Sequence, residues 1–338
     1  MKAIFRAIRI GLQLLIILYG VLLTALLLVR AEFGERWSAI AFANNFLAWL
    51  LLLGMLLGVV ALFSRWRLLV ASTQFPAFIA FAVLYGPLLW PPGSVDKPAD
   101  GVDLTIATYN VLSAESDPDD MLDVIEDLDA DIIGLQELEV AHADLIEREL
   151  SEEYPYRSLH GSPSEHGVGL LSRYRIVEES EYYDFIKYVR HLRAVVDVEG
   201  MLVTVYLAHP HTPSNYYSPM RYSADFRDEQ LKALRNSVRA DSGPVLVLCD
   251  CNLSDQSEAY RDLDRLLDDT YREVGWGMGF TFPSRFAPAD GWILPRMMRL
   301  DYIWHSAHFT AYDVEVWRET GGSDHRPVLA RLVLESAP

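Results

Sequence analysis

The run Val245-Leu246-Val247-Leu248-Cys249-Asp250-Cys251-Asn252 decides how this chain is read. Four aliphatic residues in a row mark a buried strand. Side chains two apart in extended chain share a face, so Asp250 and Asn252 point one way and Cys249 and Cys251 the other. An apolar strand that ends in Asp and Asn presents polar groups at the rim of a scaffold. A lone Asp-x-Asn also fits a turn in which both side chains bond their own backbone. The reading therefore depends on whether other strands end in the same way.

They do. Asn110 ends the β-rich run Leu104–Tyr109, and Gln136-Glu137 ends Asp131–Leu135. His209 ends Leu202–Ala208, Asp301 lies in the apolar run Leu300–Trp304, and Ser323-Asp324-His325 precedes Pro327–Leu334. Gly167–Ser172 and Ala194–Val198 read as further strands. Helical spacing appears in Asp119–Leu128, where Met121, Leu122, Ile125 and Leu128 share a face, and in His142–Leu150, Asp228–Ala240 and Ser257–Leu267. Many strands with interspersed helices predict an α+β domain, a four-layer α/β/β/α sandwich of two packed mixed sheets flanked by helices. No internal repeat or low-complexity tract is present.

The cysteines sit inside this pattern. In an extended strand their Cα atoms would stand roughly 6.5–7 Å apart, at or beyond the comfortable limit of a disulfide. The expectation is two small core residues.

The front of the chain is different. Of 338 residues 51% are hydrophobic, yet 47 acids face 29 basic residues. The first 90 residues hold seven Lys/Arg against two acids, a net of +5, which leaves −23 of the total −18 for the remainder. A uniform soluble globule, a disordered chain and a protein that grips nucleic acid by bulk positive charge are all excluded. The uncharged runs Ile10–Val29, Ile40–Phe63 and Leu68–Trp90 each approach the roughly 20 residues a helix needs to cross hydrocarbon. Three membrane-spanning helices are expected, with Pro76 and Pro87 inside the third. A cleaved signal peptide fits poorly, because the first run is too long and two more follow. The tail with Lys2, Arg6 and Arg9, and the loop with Arg65 and Arg67, read as cytoplasmic. An odd number of spans then places everything after Trp90 at the outer face of the cytoplasmic membrane. The expected organisation is a membrane domain over 1–90, a Pro-rich linker over 91–102 and a catalytic domain over 103–338.

Taken singly the polar residues are weak signals, since Gln-Glu after a strand also fits a helix cap and Asp-His a surface pair. Their ordered combination resembles the endonuclease/exonuclease/phosphatase superfamily, the deoxyribonuclease I-like fold, from about Asp103 to Val333. The matching motifs are Tyr109-Asn110, Gln136-Glu137, His209, Asp250-x-Asn252, Asp301-Tyr302-Ile303 and Ser323-Asp324-His325. Cys249 and Cys251 depart from it, where the family usually has Gly and an aromatic residue.

The resemblance implies hydrolysis of a phosphoester with a divalent metal, Mg²⁺ or Mn²⁺, which takes oxygen ligands and keeps waters. It implies Glu137, Asn110 and Asp324 as metal residues, and Asp250 as the base toward water. Asn252 would hold phosphate or water, and His209 and His325 would bond phosphate oxygens, with Asp301 orienting His325. Arg173 and Arg193 are candidate substrate-binding residues, each with a structural ion pair as the alternative. Arg221 and Arg227 flank a Tyr-rich loop at 215–222 that would form a rim for an amphipathic substrate, or else a solvated helix start. His142, His160, His305 and His308 are read as structural or exposed, and His211 has no partner to name.

Three amino-terminal spans followed by an outer catalytic domain are similar to the teicoplanin-resistance membrane phosphatases. That likeness implies the bilayer as partner and a lipid-linked phosphate or pyrophosphate, such as undecaprenyl pyrophosphate, as substrate. Nucleic acid is the alternative substrate, and a non-enzymatic membrane adaptor the other class.

Overall fold

The computed structural model describes residues 1–64, 66–91, 95–112, 116–181, 191–214, 220–284 and 296–335. The chain divides into two compact units, Met1–Trp90 with Asn215–Tyr222, and Pro91–Ser214 with Ser223–Pro338.

The first unit contains α1 (Lys2–Phe33), α2 (Ser38–Asn44), α3 (Leu47–Ala61), α4 (Arg67–Ser72), α5 (Phe75–Leu84) and α6 (Gly86–Leu89). Ile4–Phe33 and Arg67–Leu84 are each long and apolar enough to cross a membrane. The pair α2 and α3, bent by 73°, makes a third if the two count as one span. Pro76 lies inside the apolar span Arg67–Leu84 and Pro87 just beyond it. They stand in the first turns of α5 and α6, where a missing backbone N–H leaves no bond unmade. Gln74, fully buried, donates from Nε2 to Ile16 O at 2.7 Å, which gives the amide nitrogen a partner inside an apolar helix layer.

The second unit runs β1 (Val102–Asn110), α7 (Pro118–Leu128), β2 (Ile132–Gln136), α8 (Val140–Glu149), β3 (Tyr156–His160), β4 (Val168–Ser172), β5 (Arg175–Glu181), β6 (Leu192–Val198), β7 (Met201–Ala208), α9 (Asp225–Ala240), β8 (Val245–Asp250), α10 (Glu258–Asp264), β9 (Asp268–Asp269), α11 (Thr270–Val274), β10 (Asp301–His305), β11 (Phe309–Val316) and β12 (Val328–Leu334). The strands form two six-stranded sheets, β11-β12-β1-β2-β4-β3 and β5-β6-β7-β8-β10-β9. Both are mixed, because β1 pairs β2 and β7 pairs β8 in parallel while the other pairs are antiparallel.

Apolar stripes of α7 and α8 (Met121, Leu122, Ile125, Leu128, Ile146) cover one face of the first sheet. Leu231, Leu234 and Val238 of α9, with Tyr260 and Leu263 of α10, cover the second. Between the sheets the packing is close at Gly134, where a Cβ would come within 2.8 Å of Leu207 and 2.9 Å of Leu248. The result is the expected four-layer sandwich.

Parallel pairing has one consequence for chemistry. It brings the carboxyl ends of β1 and β2 to one edge, as Asn110 opposite Gln136, and those of β7 and β8 likewise. The antiparallel β10 begins at that edge, with Asp301 opposite Asp250. β12 begins two residues after Arg326, with Val328 opposite Thr108. Every polar strand end singled out in the sequence therefore falls on the same rim.

Candidate active site

Asn110 joins the two sheets at this rim. Its Nδ2 donates to Glu137 Oε1 at 3.0 Å and to Asp250 Oδ2 at 2.8 Å, while its Oδ1 accepts from Leu112 N at 3.0 Å. As placed, the amide orients two carboxylates and gives its oxygen to the backbone. Glu137 adopts a left-handed backbone, φ 56°, which costs a non-glycine residue free energy and is retained where the surroundings impose it. Here Leu138 N donates to Gly167 O and Ser162 N to Leu138 O, each at 3.0 Å, pinning the turn that aims Glu137 inward.

His209 Nε2 lies 3.5 Å from Glu137 Oε1 and 3.6 Å from Asp250 Oδ2. Its two ring nitrogens are buried without a hydrogen-bond partner. Its neighbour His191 accepts from His209 N at 3.3 Å, and burial, with His209 adding repulsion, pushes the His191 pKa down to about 3.

On the other side Asp301 Oδ2 bonds His325 Nδ1 at 2.9 Å, which turns Nε2 toward Asp250 Oδ2, 3.7 Å away. Burial works against an imidazolium at His325. The carboxylates of Asp301 and Asp250 outweigh it and hold the His325 pKa well above the ordinary histidine range. Burial raises the pKa of Asp301 and of Asp324, only partly offset by His325. Phe282 packs its ring 4.8 Å from that of His325.

Asn252 also has a left-handed backbone, φ 48°, and its Nδ2 donates to Pro210 O at 2.9 Å. Arg227, from the first turn of α9, donates to Asn252 O at 3.0 Å and pairs with Asp228 at 2.7 Å. The two cysteines differ from expectation. β8 stops at Asp250 and the chain turns, so their Cα atoms close to 5.1 Å and a Cys249–Cys251 disulfide forms within the core under the site. Extended geometry does not apply across a strand end, and 5.1 Å falls inside the disulfide range.

Neither candidate arginine reaches this cluster. Arg173 follows β4 at its far end, since Val168 pairs with Gln136 and Ser172 with Ile132. It is held there by Asp129 at 2.6 Å, Glu153 at 2.7 Å and Asp131 at 3.7 Å. Arg193 lies opposite Tyr206, whose ring packs in the core beneath α9, and pairs with Asp241 at 3.0 Å and Glu178 at 2.8 Å. Both serve as structural ion pairs. Of the Tyr-rich loop, residues 215–219 lie outside the described residues. His142 is buried in α8, while His305 pairs with Glu273 and His160 with Glu179, each at 2.6 Å. The sequence reading passed over His166, one residue before Gly167. Burial lowers its pKa, and it lies within electrostatic reach of His209, His211 and Glu137. A histidine just ahead of a strand that starts at the catalytic rim was the available signal.

Glu137, His209 and Asp250 offer ligand atoms within 4.8 Å of one another, as do Asp250, Asp301 and His325. No arginine or lysine pairs with Glu137, Asp250, Asp301 or Asp324 among the described residues. Converging carboxylates without an arginine or lysine partner among the described residues, beside a histidine with two orphaned nitrogens, fit a divalent metal.

A sequence profile described as Endonuclease/Exonuclease/phosphatase family matches residues 107–325. The chain belongs to the endonuclease/exonuclease/phosphatase family. It is a hydrolase of that family, whose members are metal-dependent phosphatases or nucleases. Solved structures with the family's fold include an endonuclease/exonuclease/phosphatase from Beutenbergia cavernae, 20% identical, covering 70% of this chain and 72% of that one at a TM-score of 0.52. TDP2 of D. rerio, complexed with a single-strand DNA product, is 16% identical over 68% of this chain and 98% of its own, with a TM-score of 0.56. A mannosyl-6-phosphatase of Bacteroides thetaiotaomicron is 17% identical over 68% and 99%, with a TM-score of 0.51. No curated protein matches the chain.

Proposed function

We propose that this family member hydrolyses a lipid-linked pyrophosphate, such as undecaprenyl pyrophosphate, at the outer face of the cytoplasmic membrane. The observation that carries the reading is covalent. A hydrolase domain is tied by about a dozen residues (91–102) to segments apolar enough to span a bilayer. A short tether keeps lipid head groups at high effective concentration, on the order of millimolar. Positive charge on the tail and on the loop near Arg65 supports the orientation.

Glu137, with Asn110 and Asp324 close by, would hold Mg²⁺ or Mn²⁺, which would neutralise phosphate charge and polarise the P–O bond when bound. The rest falls to the chain's own groups. Asp250 takes a proton from water as the water oxygen bonds to the terminal phosphorus. The anhydride P–O bond breaks, and the products are inorganic phosphate and lipid monophosphate. His325 offers its Nε2 proton to a phosphoryl oxygen as charge builds there. Asp301 holds the ring in that orientation.

A nuclease would use the same groups, but the −23 of the remainder of the chain opposes capture of a polyanion. The test is phosphate release from a polyprenyl pyrophosphate by the full chain in detergent with Mg²⁺, abolished by Asp250→Ala. Degradation of DNA with no release from the lipid would overturn the reading. A reporter active only outside the cytoplasm, fused after Pro338, should be active, and a silent fusion overturns the orientation.

A further inference from the structure

Three arginines gather beside His325 on segments tied together by backbone hydrogen bonds. Arg326 follows His325 and donates its N–H to Thr281 O at 3.2 Å. Thr281 N donates to Met298 O at 2.9 Å, which brings the segment from Arg296 alongside. Trp317 N donates to Pro327 O at 2.8 Å, and Val316 pairs with Val328, which brings Arg318 to the same place. Among the described residues none of the three has a carboxylate partner, and Arg326 Nε is buried without a hydrogen bond. Burial and the neighbouring Arg296 and Arg318 lower the Arg326 pKa, with Glu319 only partly opposing them.

Arg173, Arg193, Arg299 and Arg331 are each matched by at least one carboxylate at 3.0 Å or less. Three neighbouring guanidinium groups that have no carboxylate partner among the described residues offer an anion from outside a place to bind. Arg296 also lines an open cavity of about 480 Å³ with Tyr271, Trp276, Met278, Phe280 and Val316. Trp276, 66% exposed, forms one wall of it. Two residues beyond Phe280, Phe282 packs on His325. The segment 278–282 thus runs from the apolar cavity to the ring of His325.

We propose that Arg296, Arg318 and Arg326 bind the second phosphate of an amphipathic diphosphate, the one that departs with the lipid, while the adjoining cavity takes the first carbons of its apolar chain. This deepens the proposed function and rests on it for the identity of the terminal, reacting phosphate. It adds a basis for choosing diphosphates over monophosphates, because a monophosphate held for reaction at Asp250 and His325 leaves the arginines empty.

The test is equilibrium binding to the full chain in detergent with Mg²⁺. The parent is Asp250→Ala, so that ligand is not consumed, and the probes are geranylgeranyl diphosphate and geranylgeranyl monophosphate. Adding Arg296→Gln, Arg318→Gln and Arg326→Gln should weaken the diphosphate by at least about tenfold and the monophosphate by less than about threefold. Arg318→Gln alone, at an exposed position, should weaken the diphosphate by about threefold, and matching thermal melts show that each variant is folded. A diphosphate affinity within about twofold of the parent, equal losses for both probes, or no diphosphate binding by the parent overturns the inference. Arginine-dependent binding without phosphate release by the wild-type chain would sink the proposed function and leave the subsite standing. Phosphate release with arginine-independent binding does the reverse.

Discussion

Asp301 and His325, 24 residues apart in the chain, meet through a 2.9 Å bond between Oδ2 and Nδ1 with both side chains nearly inaccessible to water. The bond leaves only Nε2 facing the cleft. In the proposed mechanism Asp301 is a positioning residue. Asp301→Asn keeps the shape but offers the ring a weaker, reorientable partner. The expected result is a fall in kcat of about 10²-fold or more with KM changed by only a few-fold, because substrate contacts stay in place. A kcat within about threefold of wild type would remove Asp301 from this role.

Metal demand should be governed by the turn that presents Glu137. Glu137→Gln is expected to raise the Mg²⁺ concentration needed for half-maximal activity by about 10–100-fold. A change that never touches the site should act in the same direction. A Cβ on Gly167 would fall 1.8 Å from Leu138 O, so Gly167→Ala must push the turn away from β4. A metal titration in which Gly167→Ala matches wild type would show that Glu137 does not depend on this backbone clamp.

The catalytic rim was legible because its residues sit at the ends of strands whose apolar runs are unambiguous. Asn110, Glu137, His209 and Asp250 close strands and Asp301 and His325 precede or open them, and the ordered combination of their motifs, not any one position, carried the family resemblance. The edges of the sheets were less readable. β5 (Arg175–Glu181) is exposed and carries Arg and three Glu, so no apolar alternation marks it, and β3 and β11 carry similarly mixed faces. The arginines failed for another reason. Whether Arg173 faces a cleft or three carboxylates depends on which end of β4 it follows, and that depends on pairing partners far away in sequence. The disulfide was missed because the spacing rule used for it holds inside a strand, and the strand stops between the two cysteines.

That disulfide bears on activity more than on stability. It closes a very short loop, so its removal costs the fold only about 1–2 kcal/mol. Yet it spans Asp250, and it ends one residue before Asn252, whose N–H bonds Asp250 Oδ1 at 3.1 Å. Cys249→Ala with Cys251→Ala should lower kcat by about tenfold or more while the melting temperature falls by only a few degrees. Full activity in the double variant, or after reduction, would show that the backbone bond of Cys251 N to Leu300 O at 2.8 Å holds the turn unaided.

Stability should depend on pH through a pair remote from the rim. His305 Nε2 meets Glu273 Oε2 at 2.6 Å, and the His305 ring is buried while Glu273 remains partly in water. Burial opposes the charged ring, but the Glu273 carboxylate and the Ser306 carbonyl prevail and raise its pKa above the ordinary 6.5. A raised folded-state pKa means that the folded chain binds this proton more tightly than the unfolded one. The stabilisation is then complete below the unfolded value and disappears as pH rises through the folded one. With Glu273 partly hydrated its size is about 1 kcal/mol, or a few degrees in melting temperature. Glu273→Gln removes the anion and with it the pH dependence. Wild type should therefore melt above Glu273→Gln at pH about 6, and the gap should close toward pH about 9. Curves that stay parallel across that range would mean that His305 is neutral in the folded chain and that the contact is an ordinary hydrogen bond.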